Sequence, residues 1–556
     1  MSAEESHPGI KPYRDELQQR FNHFLLSKYG SRKNLKQVWG EALEDDEDPV
    51  QNSVRFPEGS FYQEINDPMG EWTGIKSPAR YAEFMEFGIE VSRRYYKEMM
   101  DYVRSLGSKV PLTTSNLLSG AADVYSHADG DIMSNHAYFN HPLLPVDGNK
   151  MIVPGMREYV TSNPLTIHND GIYMRADLLT MSCPAVIADK PFVVSEWNEY
   201  GVYPFHSTAF MALTAYACLN DWDGLMLYCH HTSESSDNQP SDEVDTIFDF
   251  YNDASLICQF GFMQAVFQKG LIQPAKSRSD LVFTKQDLLS LPPAAKMMYS
   301  YLPFVTGLRN VFPEDEKYKG NADVAVTAGF FNGGDLSQAK HGIYYSLSPY
   351  RDPFRKILDH NRLKTLPQKK DFVFEDINIL ISDGDYTTAL MQVDKKMKEW
   401  GVIPTDCGIV NNALISDTGE IKFDPIAGFF LVKTENCFYY SGKPSDIIKI
   451  TEEVSLKVTN DRITVAALPL DEVSLSGSKQ ILLTMIGATG MDESVYLQEG
   501  FMTMVEMKGK LYADMAEGEM SIAENFMITP LDLYGNRIEK AAKLDGTALH
   551  FLLERK

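Results

Sequence analysis

Apolar positions in the first third of the chain recur every three to four residues. Tyr13, Leu17, Phe21, Phe24 and Leu25 fall on one stripe, which predicts a helix. A second stripe runs through Phe84, Phe87, Val91, Tyr95 and Tyr102. It follows Pro78 and predicts a long amphipathic helix from Ala79 to about Leu106, stopped by Gly107. The pattern then shortens. "KVPLTTSN" (109–116), "GDIMSNHAYFNHP" (130–142), "KPFVVSEWN" (190–198) and "DGLMLYCHH" (223–231) read as strands that end in polar or aromatic residues, and "TAFMALTAYACLN" (208–220) reads as a helix. Strands alternating with helical stretches are the repeat of a (β/α) barrel, whose chemistry sits at the C-terminal strand ends. Four such strands are visible, where a closed barrel needs eight.

Beyond about Leu302 strand-like runs dominate. They are "GFFLVKTENCFYYSG" (428–442), "RITVAALPL" (462–470), "KQILLTMIGATG" (479–490), "MITPLDLYG" (527–535) and "ALHFLLE" (548–554), with turn residues between them. The stretch from 310 to 400 is mixed, and "TTALMQVDKKMKEWG" (387–401) within it is helical. The expected fold is therefore α/β: an incomplete TIM-type barrel over 1–305, a mixed region over 306–410 and a β-rich, sandwich-like domain over 411–556.

Composition narrows the function. The formal net charge of −25 argues against a nucleic-acid partner, because phosphate binding needs clustered Lys and Arg. It fits an uncharged substrate or a solvated acidic surface. Cysteines at 183, 218, 229, 258, 407 and 437 form no CxxC pair and no metal-like spacing, so they read as free, mostly buried thiols. "MSAEESHPG" lacks an apolar leader core, and no apolar run reaches the roughly 18–20 residues of a membrane span. The expectation is a cytoplasmic protein with no cofactor and no membrane or nucleic-acid partner. There is no GxSxG elbow and no P-loop. His136, His230 and His231 raise zinc, but no HExxH or matching Cys accompanies them, and sugar contacts explain them as well.

Glu196 is the residue most in need of explanation. A carboxylate at the end of an apolar strand is poorly solvated unless it faces a cleft, and a glycosidase nucleophile needs that position. In a loop the same residue would be an ordinary surface ion-pair partner. Its neighbours shift the balance. His136 and Tyr138 share a strand face, and a Tyr hydroxyl beside a carboxylate can hold it ionised. Asn116, His141 and His230 end or follow strands, and Trp197, Tyr138, Phe139, Tyr200 and Tyr228 offer flat faces for a pyranose or for core packing.

With these residues in place, "VVSEWNEYGVYPFHSTAFMALTAYACLNDWDGLMLYCHH" resembles strands seven and eight of the retaining glycoside hydrolases with (β/α)8 barrels, the superfamily that includes families 5 and 42. "DIMSNHAYFNHP" resembles their sixth strand and "VPLTTSN" their fifth, while "FLLSKYGSRKNLKQVWG" (24–40) resembles the helix after their fourth. Segments 250–275, 413–432 and 529–538 resemble the region after the barrel and the C-terminal β domain of large members.

The resemblance implies hydrolysis of an O-glycosyl bond in a β-linked saccharide, by double displacement, with Glu196 as nucleophile. It implies Tyr138 as the residue that positions Glu196, and Asn116, His136, His141, Trp197, Tyr228 and His230 along the sugar subsite. The acid/base Glu of that superfamily ends strand four, after an Asn. Strands one to three are not recognisable here, which leaves Glu4 or Glu5 in "AEES", or Glu71 in "NDPMGEWTG", as candidates, with Glu199 a further one that reads as a rim residue. An incomplete barrel leaves strand edges open, so a homo-oligomer is expected to cover them. The alternative is a non-catalytic carbohydrate-binding homologue, or a truncated pseudoenzyme without the acid/base.

Overall fold

The computed structural model describes residues 11–55, 78–116, 120–138, 144–147, 150–154, 179, 182–199, 206–231, 249–251, 253–289, 298–314, 317–327, 336, 338–347, 377–381, 386–411, 413–424, 427–471, 473–491, 495–499, 502–506, 511–523, 525–532, 535–538 and 550–555.

Helices α1 (Lys11–Tyr29) and α3 (Pro78–Ser105) form on the two stripes read from the sequence, with α2 (Arg32–Trp39) between them, although Tyr13, Tyr95 and Tyr102 are exposed. Their apolar sides bury Phe21, Leu25, Leu35, Trp39 and Phe87 in one cluster. Gly107, with φ of +92°, turns the chain out of α3. A short α4 (Ala121–Ser126) leads into the first sheet.

That sheet holds β1 (Met133–Tyr138), β4 (Phe192–Asn198) and β5 (Gly224–Leu227), all parallel, in the order β1-β4-β5. The intervening β2 (Leu144–Asp147) and β3 (Lys150–Pro154) belong to another sheet. Residues 109–116, expected as a strand, run alongside β1 without forming one. The Asp131 and His136 amides donate to the Leu112 and Asn116 carbonyls at 2.8 and 2.6 Å. No closed barrel is formed among the described residues. Helix α5 (His206–Leu219) packs on this sheet and is buried on every side, as its uniformly apolar sequence requires. Helix α6 (Ala254–Lys269) packs against it, capped by the Asp253 carboxylate, which accepts the Ser255 and Leu256 amides.

A second parallel sheet was not anticipated. Strands β6 (Arg278–Val282), β7 (Gly307–Val311), β8 (Val324–Thr327), β9 (Gly342–Leu347) and β10 (Ile377–Ile381) lie in the order β10-β9-β8-β6-β7. Counted from β6, this is the 2-1-3-4-5 order of doubly wound folds. Two short helices, α7 (Lys285–Leu288) and α8 (Leu302–Val305), separate β6 from β7, and α9 (Tyr386–Glu399) follows β10. The boundary expected at 305 therefore falls between two strands paired from Arg278↔Gly307 to Val282↔Val311. Asn310 on β7 ties this sheet to the first. Its amide nitrogen donates to the carbonyls of Cys183, Pro184 and Val186, just ahead of β4.

The C-terminal part is antiparallel. Nine strands are ordered β11-β12-β13-β14-β15-β18-β19-β26-β25: β11 (Gly408–Val410), β12 (Ala413–Ile415), β13 (Ile421–Asp424), β14 (Phe429–Lys433), β15 (Phe438–Gly442), β18 (Ile463–Pro469), β19 (Gln480–Ile486), β25 (Phe526–Leu531) and β26 (His550–Arg555). A small sheet of β16 (Ile448–Lys449), β17 (Val454–Val458) and β24 (Gly518–Ile522) covers one face. β20 (Thr489–Met491) pairs with β23 (Leu511–Ala513), while β21 (Val495–Glu499) and β22 (Met502–Glu506) extend β3 and β2. Alternation assigns the faces. Phe438, Tyr440, Val465 and Ala467 point to the small sheet, whereas Tyr439, Ala466 and Leu468 join the core with α5 and α6. The expected sandwich is thus one large sheet with a small sheet on one side and helices on the other.

Candidate functional site

Glu196 owes its position to one extra residue. Phe192 and Val194 face the helix-side core, so an unbroken β4 would turn Glu196 into that core as well. Instead the register slips by one. Asn135 lies opposite Val194 but His136 lies opposite Glu196, and β5 shows the same slip between Val194↔Leu225 and Trp197↔Leu227. The bulge falls at Ser195, whose hydroxyl bonds that of Ser134 at 2.6 Å. Beyond it Trp197 takes the core face, packed on Phe210 of α5, and Glu196 turns to the opposite face.

His136 meets Glu196 there. Its Nδ1 lies 3.2 Å from Glu196 Oε2, with both side chains about a quarter exposed. A carboxylate only accepts, so the contact takes the tautomer protonated at Nδ1. Desolvation holds the imidazole below its ordinary value, more than the Glu196 charge raises it. At neutral pH a neutral ring therefore donates to the Glu196 carboxylate. Tyr138, two residues on, is buried and stands opposite Asn198 in register.

Beyond β5 the chain stays close to this end. The Tyr228 amide donates to the Trp197 carbonyl, and Asn198 Nδ2 donates to the Tyr228 carbonyl at 2.6 Å. Following Leu227, Tyr228 turns to the Glu196 side, where it is partly exposed. Its hydroxyl is raised above its ordinary value, by desolvation first and then by the nearby Cys229, Glu196 and Asp249. Residues 249–251 run beside 229–231 through Phe250 N–Cys229 O and Tyr251 N–His230 O bonds. There His231 Nδ1 lies 2.8 Å from Asp249 Oδ2.

The structure thus brings together Glu196, His136 and Tyr228 from the expected set. Asn116 stands beside them through its backbone, with an exposed side chain. Trp197 and His230 are placed differently from the expectation. Both line a cavity of about 370 Å³ on the helix side, with Leu225, Leu227, Phe250 and Phe260. The bulge moves Trp197 there, and His230 packs edge-on against Phe250. Glu4, Glu5, Glu71 and His141 lie outside the described residues, as do Phe139 and Tyr200. Asp249 was missed. It sits in "DFYND" with no periodic signal, and only the path of the chain beside His231 reveals it. Among the described residues no cluster of three His, Cys, Asp or Glu is arranged to hold a metal ion. No described helix is long and apolar enough to cross a membrane.

No protein-family profile matches the chain, and no curated protein matches its sequence. Solved structures do. Gan42B, a GH42 β-galactosidase, is 10% identical with a TM-score of 0.39, covering 96% of this chain and 75% of that one. A catalytic mutant of Gan42B from G. stearothermophilus is 11% identical with a TM-score of 0.37 and the same coverage. A cold-adapted β-galactosidase from Rahnella sp. R3 is 8% identical with a TM-score of 0.35, covering 90% of this chain and 75% of that one. Likeness at this level assigns neither fold nor activity.

Proposed function

We propose that the chain is a retaining glycoside hydrolase acting on β-linked sugars, with Glu196 as nucleophile. The observation that supports this reading is the bulge at Ser195. It turns a carboxylate out of the apolar core face at the C-terminal end of a parallel strand and sets it against a neutral imidazole donor. Such a carboxylate is fixed and placed where a bound sugar could meet it. Tyr228 supplies a partly exposed aromatic face beside it.

Self-association belongs to the same proposal. Strand β5 ends the order β1-β4-β5 and pairs with no further strand among the described residues. Met226 on it is 55% exposed, and Phe260 nearby is 44% exposed. An open edge flanked by apolar side chains favours a second copy.

The test is hydrolysis of 2,4-dinitrophenyl and phenyl β-glycosides of galactose, glucose, mannose and xylose, with light scattering on the same sample. The expected result is turnover that Glu196→Gln abolishes, from a species larger than a monomer. Sugar binding without turnover points instead to a non-catalytic carbohydrate-binding protein. A monodisperse monomer at micromolar concentration removes the self-association.

A further inference from the structure

Double displacement needs a second group, which protonates the departing oxygen and then deprotonates water. We propose that His231, held by Asp249, is that group; the assignment rests on the glycosidase reading above.

The Asp249 side chain is 1% exposed and that of His231 25% exposed. The buried carboxylate fixes one edge of the ring through Nδ1. The other edge, Nε2, has no hydrogen-bond partner among the described residues. Asp249 is itself anchored, since Cys229 Sγ approaches its other oxygen at 3.6 Å, and Tyr251 packs edge-on against the His231 ring at 4.4 Å. A buried carboxylate, an oriented imidazole and an open second nitrogen form an arrangement built for proton transfer. Its place fits the role. His231 follows β5, the neighbour of the strand that carries Glu196, and Tyr228 lies within electrostatic reach of both Glu196 and Asp249.

The chemistry balances. In the first step a Glu196 oxygen bonds the anomeric carbon, the bond to the leaving oxygen breaks, and that oxygen takes the proton from His231 Nε2. In the second, neutral His231 takes a proton from water as its oxygen attacks the anomeric carbon, and Glu196 leaves as carboxylate.

Leaving-group dependence provides the test, because a dinitrophenolate departs without acid help and a phenolate does not. His231→Asn and His231→Ala are assayed on 2,4-dinitrophenyl and phenyl β-glycosides, with thermal melts to confirm folding. The expected result is a loss of about 100- to 10,000-fold in kcat/KM, which reports the first step, on the phenyl glycosides and little loss in kcat/KM on the dinitrophenyl ones. The second step lacks its base with either substrate, so azide should raise kcat on the dinitrophenyl glycosides and yield a glycosyl azide. Equal losses on both substrates, or none on either, overturn the assignment while leaving Glu196 as nucleophile. The acid would then be sought at Glu71, Glu4 and Glu5. Wild-type protein that cleaves only the dinitrophenyl substrates also overturns it. Wild-type protein that cleaves neither removes the glycosidase reading and this assignment together.

Discussion

A neutral histidine that donates to the Glu196 carboxylate makes distinct demands on activity and on stability. A hydrogen bond to a charged group contributes about 1.5–3 kcal/mol. His136→Phe should therefore lower kcat about 10- to 100-fold in the glycoside assay. Stability should respond to pH in one direction. The folded-state pKa of His136 lies below the ordinary 6.5, so the folded protein binds fewer protons than the unfolded chain in the window just under that value. Stability associated with the neutral ring is complete above 6.5 and falls as the pH drops through the window. His136→Asn cannot take up that proton. Its melting temperature should fall less steeply than that of the wild type between neutrality and mild acid. Parallel curves would mean that the ring titrates normally.

Strand β4 holds its carboxylate away from the helix-side core because it carries Ser195 as an extra residue. Deletion of Ser195 should restore plain alternation and turn Glu196 toward Phe192 and Val194. An unpaired buried charge costs at least several kcal/mol, so the deletion should abolish activity and leave little native signal in circular dichroism at 37 °C. A folded, active deletion variant would show that the bulge does not place Glu196. The same bulge explains what the sequence could and could not reveal. Strand β4 and helix α3 were legible, because apolar periodicity is a local signal, whereas the single strand-like run read over 428–442 is the hairpin of β14 and β15. The side on which Trp197 lies was not, because one inserted residue reverses the faces of a seven-residue strand without altering its composition. The parallel order of β6 to β10 was hidden for a related reason. Its strands are short, and buried parallel strands lack alternation. Asp249 and His231 are far apart in sequence terms for any motif, and only the path of the chain brings them together.

At the scale of the whole molecule the three large sheets share one core. Helix α5 lies between the first parallel sheet and the nine-stranded sheet, and Thr208 bonds Ser441, which bonds Thr464, at 2.6 and 2.7 Å. Residues from all three sheets meet in a single hydrophobic cluster. Calorimetry should accordingly show one cooperative transition, and Ser441→Val should lower it for the entire chain by leaving the Thr208 and Thr464 hydroxyls short of a buried partner. Two resolved transitions would show that the sheets unfold separately.

The burial of α5 carries a practical consequence. Its first turn touches the C-terminal sheet, and Phe210 on the same helix supports Trp197, the residue next to Glu196. Loosening of the distant β strands is therefore passed along the helix to the strand end that carries Glu196. Heat inactivation of any glycosidase activity would then serve as a thermometer for a sheet that never touches the sugar.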